Sequence, residues 1–327
     1  GTSFTEMNKV FSRKLPVPVG VVVLFVGDQL SLEFNCPPRV YELQNPTNQV
    51  DILSSKFPSH NVAVVMPSRL NKCFACFDGF FNQATQSGEP IGYSGKSFVA
   101  TARIRNILLK LELWSENLPI FVLGFSKGGC VLNQVLCEIA EWVAGEAVDL
   151  QQPQTLANKT VGETVPLLQH SQAQTQGKLE SKEDPVKSAE STVVVNSALV
   201  EAIDCKASVY ERHSFLGCVR AVHYLDAGLN SRGAYLTDPA VISALAPALT
   251  PSPAFGSSES PQLRIFLHGT PRQWEDRQRP WIKAEKDMFV KLLADRNIDV
   301  SQTLYFEKET PSITMHMEII ATFDPNL

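Results

Sequence analysis

The chain has 327 residues, 44% of them hydrophobic and 19% charged, enough apolar material for one large α/β domain or two of ordinary size. A net charge of -5 excludes a sequence-independent nucleic-acid binder, which needs a basic surface to displace counterions, and offers no attraction to an anionic membrane. Seven cysteines, an odd number in a chain too long to need a disulfide framework, predict reduced thiols and an intracellular compartment.

Gly20 to Gly27 is continuous, apolar and rich in valine, which predicts a strand buried on both faces. It is also the longest strongly apolar stretch, from Val19 to Val26, and is far too short to span a bilayer, so no transmembrane segment is expected. Val62 to Met66, closed by Pro67-Ser68, predicts a second strand. Cys73-Phe-Ala-Cys76 has no second pair at ligand spacing, so the expectation is buried thiols rather than a zinc site. Phe74, Phe77, Phe80 and Phe81 either line an acyl pocket or pack onto the sheet. Ala100 to Glu116 carries Ile104, Ile107, Leu108 and Leu111 at helical spacing. Ile120 to Leu123 is a third strand, ending at Gly124, and Val131, Val135, Ile139 and Val143 mark the helix that follows.

The rhythm breaks from Gly145 to about Ser191, where Gln, Thr, Ser, Glu and Lys dominate; this stretch is expected to be a disordered insertion. Val219 to Leu225 then predicts a strand ending in Asp226-Ala-Gly228. Pro247 to Pro261 reads as a Pro/Ser-rich surface loop. Leu263 to Leu267, closed by His268-Gly269, is another strand, Trp281 to Asp295 a helix, and Thr303 to Phe306 the last strand. Strands alternating with helices predict an α/β fold: a doubly wound, mostly parallel sheet with helices on both faces, in a single domain over residues 1–327.

Gly124-Phe-Ser-Lys-Gly128 fits Gly-x-Ser-x-Gly, in which a strand turns abruptly into a helix with Ser126 at the apex and glycines relieve the crowding on either side. A serine needs a base to take its proton. Of six histidines, His316 lies after the last strand, where the chain order Ser, Asp, His requires the base. His268 is expected to shape a turn, His223 to lie in the core, and His60, His170 and His213 at the surface or in loops. Two aspartates qualify to orient His316. Asp276, in the loop after the penultimate strand, is favoured narrowly by chain order; Asp226, closing the strand before it, is the alternative. The backbone N–H of Lys127 and the main chain of Gly27-Asp28 are the expected oxyanion donors. The Lys127 side chain either brings positive charge to the mouth or faces solvent. Neither a P-loop nor a Gly-x-Gly-x-x-Gly occurs, and no cofactor or metal is expected.

Several short blocks resemble one eukaryotic family, named for open reading frame sixty-nine of human chromosome two. They are Phe25-Val-Gly-Asp28, Phe57-Pro58, Met66-Pro-Ser-Arg69, Phe77-Asp-Gly-Phe80, and Gly124-Phe-Ser-Lys-Gly128 with Val131-Leu-Asn-Gln134. Tyr224-Leu-Asp-Ala-Gly228, His268-Gly-Thr-Pro271, Asp276, Trp281-Ile282 and Glu307 to Ile313 before His316 complete the set. The resemblance implies an α/β-hydrolase of the esterase or lipase type in mitochondria, with the cytoplasm as the alternative location. Ser126, Asp226, Asp276 and His316 all fall on matching positions, so both candidate acids stay open. The family's long variable segment precedes the nucleophile strand, whereas here it follows the nucleophile helix, so no role is carried over to it. It also precedes the Val219–Leu225 strand, which argues against a lid.

The expected function is a serine hydrolase acting on a small-molecule ester or thioester through an acyl-enzyme. An inactive scaffold of the same fold, or an acyltransferase, are the alternatives.

Overall fold

The computed structural model describes residues 7–151, 196–201, 214–250 and 262–326. Its organising strand is β2 (Gly20–Phe25), every residue of which is buried. Valine on both faces suits a strand with helices above and below, and each buried valine contributes about 1.5–3 kcal/mol. Its neighbours β3 (His60–Val65) and β6 (Ile120–Phe125) run parallel to it. Beyond β6 the sheet continues, still parallel, through β8 (Val219–Leu225), β9 (Arg264–Gly269) and β10 (Ser301–Leu304).

The opposite edge is antiparallel. Strand β1 (Met7–Arg13) pairs with β3, and β7 (Asn196–Glu201) adds to β1, giving the order β10-β9-β8-β6-β2-β3-β1-β7. A separate two-stranded ribbon, β4 (Arg69–Asn71) with β5 (Phe74–Cys76), sits after β3. The sheet is therefore mostly parallel, with an order that reverses beside β2. That is the doubly wound arrangement in which sites form at the carboxyl ends of the strands.

Helices cover the sheet in two layers. One holds α3 (Val99–Lys110), α4 (Gly129–Gln151), α5 (Pro239–Leu249) and α7 (Pro280–Ala294); the other holds α1 (Pro38–Gln44), α2 (Pro46–Lys56) and α8 (Ile313–Thr322). Proline at the first helical position and a side-chain cap start α2 and α5: Asn45 accepts from Thr47 N and Asp238 from Ala240 N. The start of α3 is satisfied from across the layer, where buried Glu138 accepts from Ala100 N, Thr101 N and Thr101 Oγ1. Burial raises the Glu138 pKa, against those same hydrogen bonds.

The six strands expected from the sequence are present with small shifts at their ends. Helix α4 runs on to Gln151, so the start of the expected 145–191 insertion is helical; residues 152–191 lie outside the described residues. Pro247 to Leu249 close α5 and are not loop, because Pro247 sits in the last turn; 251–261 lie outside the described residues. Phe77, Phe80 and Phe25 form an edge-to-face cluster with centroids 5.1 to 5.9 Å apart, so most of the phenylalanine group packs onto the sheet. Cys76 is buried and Cys73 partly so, both as free thiols. His60 is half-buried between Phe57 and Phe121 rather than on the surface, while His170 and His213 lie outside the described residues. Among the described residues, no helix is long and apolar enough to cross a membrane.

Candidate active site

Strand β6 ends at Phe125, and the next residue turns the chain into α4 through one turn of 3-10 helix, Ser126–Gly128. Ser126 has φ 52°, a left-handed conformation costly for a residue with a β-carbon. The flanking glycines make the turn possible. A β-carbon on Gly124 would stand 2.6 Å from Leu132 Cδ1 and 2.7 Å from Gly128 O, and one on Gly128 would overlap the Phe25 carbonyl. Gly27, at the carboxyl end of β2, backs directly onto the serine, with its missing β-carbon only 2.6 Å from Ser126 Cβ.

The candidate base comes from α8, a helix capped by Ser312, whose hydroxyl accepts from Met315 N. His316 sits one residue further on, almost wholly buried, its ring 4.7 Å from that of Phe125. Its Nδ1 donates to Asp226 Oδ2 at 2.6 Å. This fixes the tautomer and leaves Nε2 as the basic nitrogen. Asp226 is fully buried at the end of β8 and, like Ser126, has a left-handed backbone (φ 47°). Thr270 N donates to its Oδ1 and Thr270 Oγ1 to its Oδ2, each at 2.7 Å. Asp226 thus receives three hydrogen bonds and holds the imidazole with both oxygens engaged.

Asp276 is elsewhere. It accepts from Arg279 Nε at 2.8 Å and from Gln278 N at 2.8 Å. Burial would raise its pKa, but these bonds outweigh burial and hold the carboxyl below its ordinary value. Of the two aspartates left open by the sequence, the one paired with His316 is Asp226.

Ser126, His316, Asp28, Phe74, Phe125 and Asp276 all line one cleft of about 730 Å³. Among the described residues no hydrogen bond joins Ser126 to His316; such contacts commonly tighten only when substrate is bound. In the loop after β2, the Gln29 amide is taken by Cys73 O at 2.8 Å, and the Asp28 carboxylate by Ala75 N at 2.8 Å. Burial pushes the Asp28 pKa up, against the pull of Lys127 and the Ala75 N–H. The Lys127 side chain neither faces solvent nor guards the mouth. It is buried, donates to Ser87 O, lies 3.7 Å from Asp28 Oδ1 and stands over the Phe74 ring at 5.2 Å. A buried ammonium needs such partners, and here they brace the loop that carries Gly27 and Asp28.

The sequence reading missed Thr270, although His268-Gly-Thr-Pro271 stood out as a block. Its role depends on β8 pairing with β9 so that Leu225 meets His268, a register that single-chain patterning does not carry. His268 itself is buried: its Nε2 lies 3.2 Å from His223 Nδ1 and its Nδ1 3.1 Å from Tyr305 Oη.

Comparison with known proteins matches residues 189–299 to the C2orf69 family model. Mitochondrial protein C2orf69 homolog of Mus musculus is 30% identical over 133 residues, 40% of this chain and 32% of the relative. Mitochondrial protein C2orf69 of Homo sapiens is 29% identical over 133 residues, 40% of this chain and 31% of the relative. The matched stretch is thus about a third of the relatives' length. The family model takes in Asp226, Thr270 and Asp276, but neither Ser126 nor His316.

Solved structures with some likeness include a lipase/esterase from Lactobacillus plantarum and acyl-protein thioesterase 2 from Zea mays. The first is 11% identical over 91% of this chain and 84% of that one, with TM-score 0.35. The second is 12% identical over 95% of each, with TM-score 0.39. The α/β-hydrolase-like fold follows from the strand order and the strand-to-helix elbow at Ser126. The chain is similar to the C2orf69 family over residues 189–299, and over 133 residues to the mitochondrial proteins of that name in mouse and human.

Proposed function

We propose that this chain is a serine hydrolase of esters or thioesters, with Ser126 as nucleophile, His316 as general base and Asp226 as the acid that orients it. The observation that carries the reading is the 2.6 Å His316–Asp226 pair in the same cleft as a serine held at a strained strand-to-helix turn. Ser126 Oγ attacks the acyl carbon while His316 Nε2 takes its proton. The amides of Lys127 and of Gly27-Asp28 receive the negative charge that develops on the carbonyl oxygen. His316 then gives its proton to the departing alcohol or thiol, leaving an acyl-serine. Water attacks that ester, His316 takes the water's proton and returns it to Ser126 Oγ, and the free acid leaves.

The substrate on this reading is a small-molecule ester or thioester, and the chain is one catalytic domain into which residues 145–191 are inserted. We extend the mitochondrial location from the names of the relatives. The absence of a Ser126–His316 hydrogen bond among the described residues favours one competing reading, a scaffold of the same fold without turnover. A fluorophosphonate probe separates the two: the wild type is labelled, Ser126→Ala is not, and labelling that ignores the substitution, or never occurs, removes the hydrolase reading.

A further inference from the structure

The charged groups that face the cleft are mostly accounted for. Asp276 is bonded to Arg279, Asp28 to Ala75 N with Lys127 nearby, and His316 to Asp226. Glu275 and Arg277 are exposed at the rim. Arg272 is the exception: it lines the cleft half-buried and has no hydrogen-bond or ion-pair partner among the described residues.

Its position is set by rigid neighbours. It is the second residue of α6 (Pro271–Trp274), which begins next to Thr270, the residue bonded to Asp226. At the other end Trp274 is buried, with Nε1 donating to Tyr235 Oη at 3.3 Å and Lys286 Nζ over its ring at 4.8 Å. Burial lowers the Arg272 pKa, and the like charge of Arg279 lowers it further, against the attraction of Asp226 and Asp276. Arg279 spends its Nε on Asp276. Two guanidiniums with repulsion between them, one of them unpartnered and half removed from solvent, are an unfavourable arrangement for an empty cleft. An oxyanion placed between them removes both penalties, and the planar fork of arginine matches phosphate and carboxylate alike.

We propose that Arg272, with Arg279 beside it, forms an anion subsite of the catalytic cleft, so that the substrate is an ester or thioester carrying a phosphate or carboxylate away from its reacting carbonyl. This rests on the hydrolase reading above. Arg272 binds the substrate's charge and takes no part in the bond changes at Ser126.

Matched substrate pairs test it. Butyryl-4′-phosphopantetheine against butyryl-pantetheine differs in phosphate on the leaving-group side; the 4-nitrophenyl hemiester of glutaric acid against 4-nitrophenyl pentanoate differs in carboxylate on the acyl side. The expected result is a kcat/KM preference for the charged member of at least one pair, showing which oxyanion and which side the subsite serves. Arg272→Gln reduces that preference by about tenfold to a hundredfold, the size expected for a charge-assisted contact, mainly through KM. Arg272→Lys retains part of it, and circular dichroism establishes that both variants are folded. Titration of Ser126→Ala protein with free coenzyme A and with glutarate reads the subsite without turnover. If fluorophosphonate fails to label Ser126 while Arg272-dependent binding persists, the hydrolase reading falls and the subsite stands. If Ser126 is labelled but both pairs are turned over without preference, or the preference survives Arg272→Gln, the anion subsite is overturned.

Discussion

Replacing Asp226 with asparagine gives the sharpest test of the dyad, because the consequence can be worked out atom by atom. Oδ2 receives both His316 Nδ1 and Thr270 Oγ1, and Oδ1 receives Thr270 N. An asparagine can keep only one oxygen. If that oxygen takes the Oδ2 position, its NH2 faces the backbone N–H of Thr270, which cannot become an acceptor; a buried donor pair of this kind costs about 1–3 kcal/mol. If the NH2 takes the Oδ2 position, Thr270 Oγ1 can rotate to accept, but His316 must also accept on Nδ1. The second orientation wins, since a tautomer change is cheaper than an unpaired buried N–H. It puts the proton on Nε2, where the base for Ser126 is needed. Asp226→Asn is therefore expected to remain folded and to lose about 10³–10⁴ in kcat, the scale set by the corresponding change in serine proteases. Asp276→Asn removes a partly exposed Arg279 pair, a loss of about 1 kcal/mol or less in stability, and should leave activity within about tenfold. The assay is the second-order rate of fluorophosphonate labelling alongside ester turnover. Unchanged labelling in Asp226→Asn, or a larger loss in Asp276→Asn, would refute the assignment.

Two further perturbations follow from the packing. A β-carbon at Gly27 would stand 2.6 Å from Ser126 Cβ and 3.2 Å from the Phe125 ring, so Gly27→Ala should cost about 1–3 kcal/mol and slow labelling about tenfold or more; a wild-type labelling rate contradicts the close approach. Burial lowers the His268 pKa from 6.5 to about 4, so between those values the unfolded chain binds the proton that the folded chain excludes. Stability should then fall as pH drops through that window, by up to about 3 kcal/mol, and urea midpoints should show His268→Gln losing that part of the slope; an identical slope refutes it.

The sheet was largely legible because parallel strands buried on both faces read as apolar runs: β2 and β6 do so without a break, and β3 and β8 do so apart from His60, Asn61, Arg220 and His223. Strand β1 was not. Met7–Arg13 mixes Asn8, Lys9 and Ser12 with apolar residues, and Asn8 is buried with partners far along the chain: its Nδ2 donates to Met66 O at 2.9 Å and its Oδ1 accepts from Arg103 Nε at 2.8 Å. Helix α8 was hidden for a similar reason: His316 interrupts its apolar pattern, and that histidine is buried only through Asp226. At the site, the elbow was readable because its constraint is local, two glycines around one serine. The aspartate that meets His316 was not, since Asp226 and Asp276 both follow strands, and the choice between them lies in which carboxylate meets a helix far along the chain, ninety residues beyond Asp226.

What sequence order could not rank, sheet register does. Phe125 of β6 pairs with Leu225 of β8, and Leu225 with His268 of β9, so Ser126 and Asp226 each leave the sheet one step beyond a shared row, beside Gly269, the last residue of β9. Both Ser126 and Asp226 are non-glycine residues at positive φ. Each such conformation costs of order 1–3 kcal/mol, and a turn with no other task would relieve that with glycine. The Asp226 strain is offset by its three hydrogen bonds and by the Asp226 N–H donating to His268 O at 2.7 Å. Ser126 has no comparable compensation: its carbonyl receives Gly228 N at 3.4 Å, and its hydroxyl is bonded to nothing among the described residues. Ser126 carries that cost without such compensation, in the same cleft as a buried acid–imidazole pair, which supports the proposed nucleophile over an inert turn that glycine would relax.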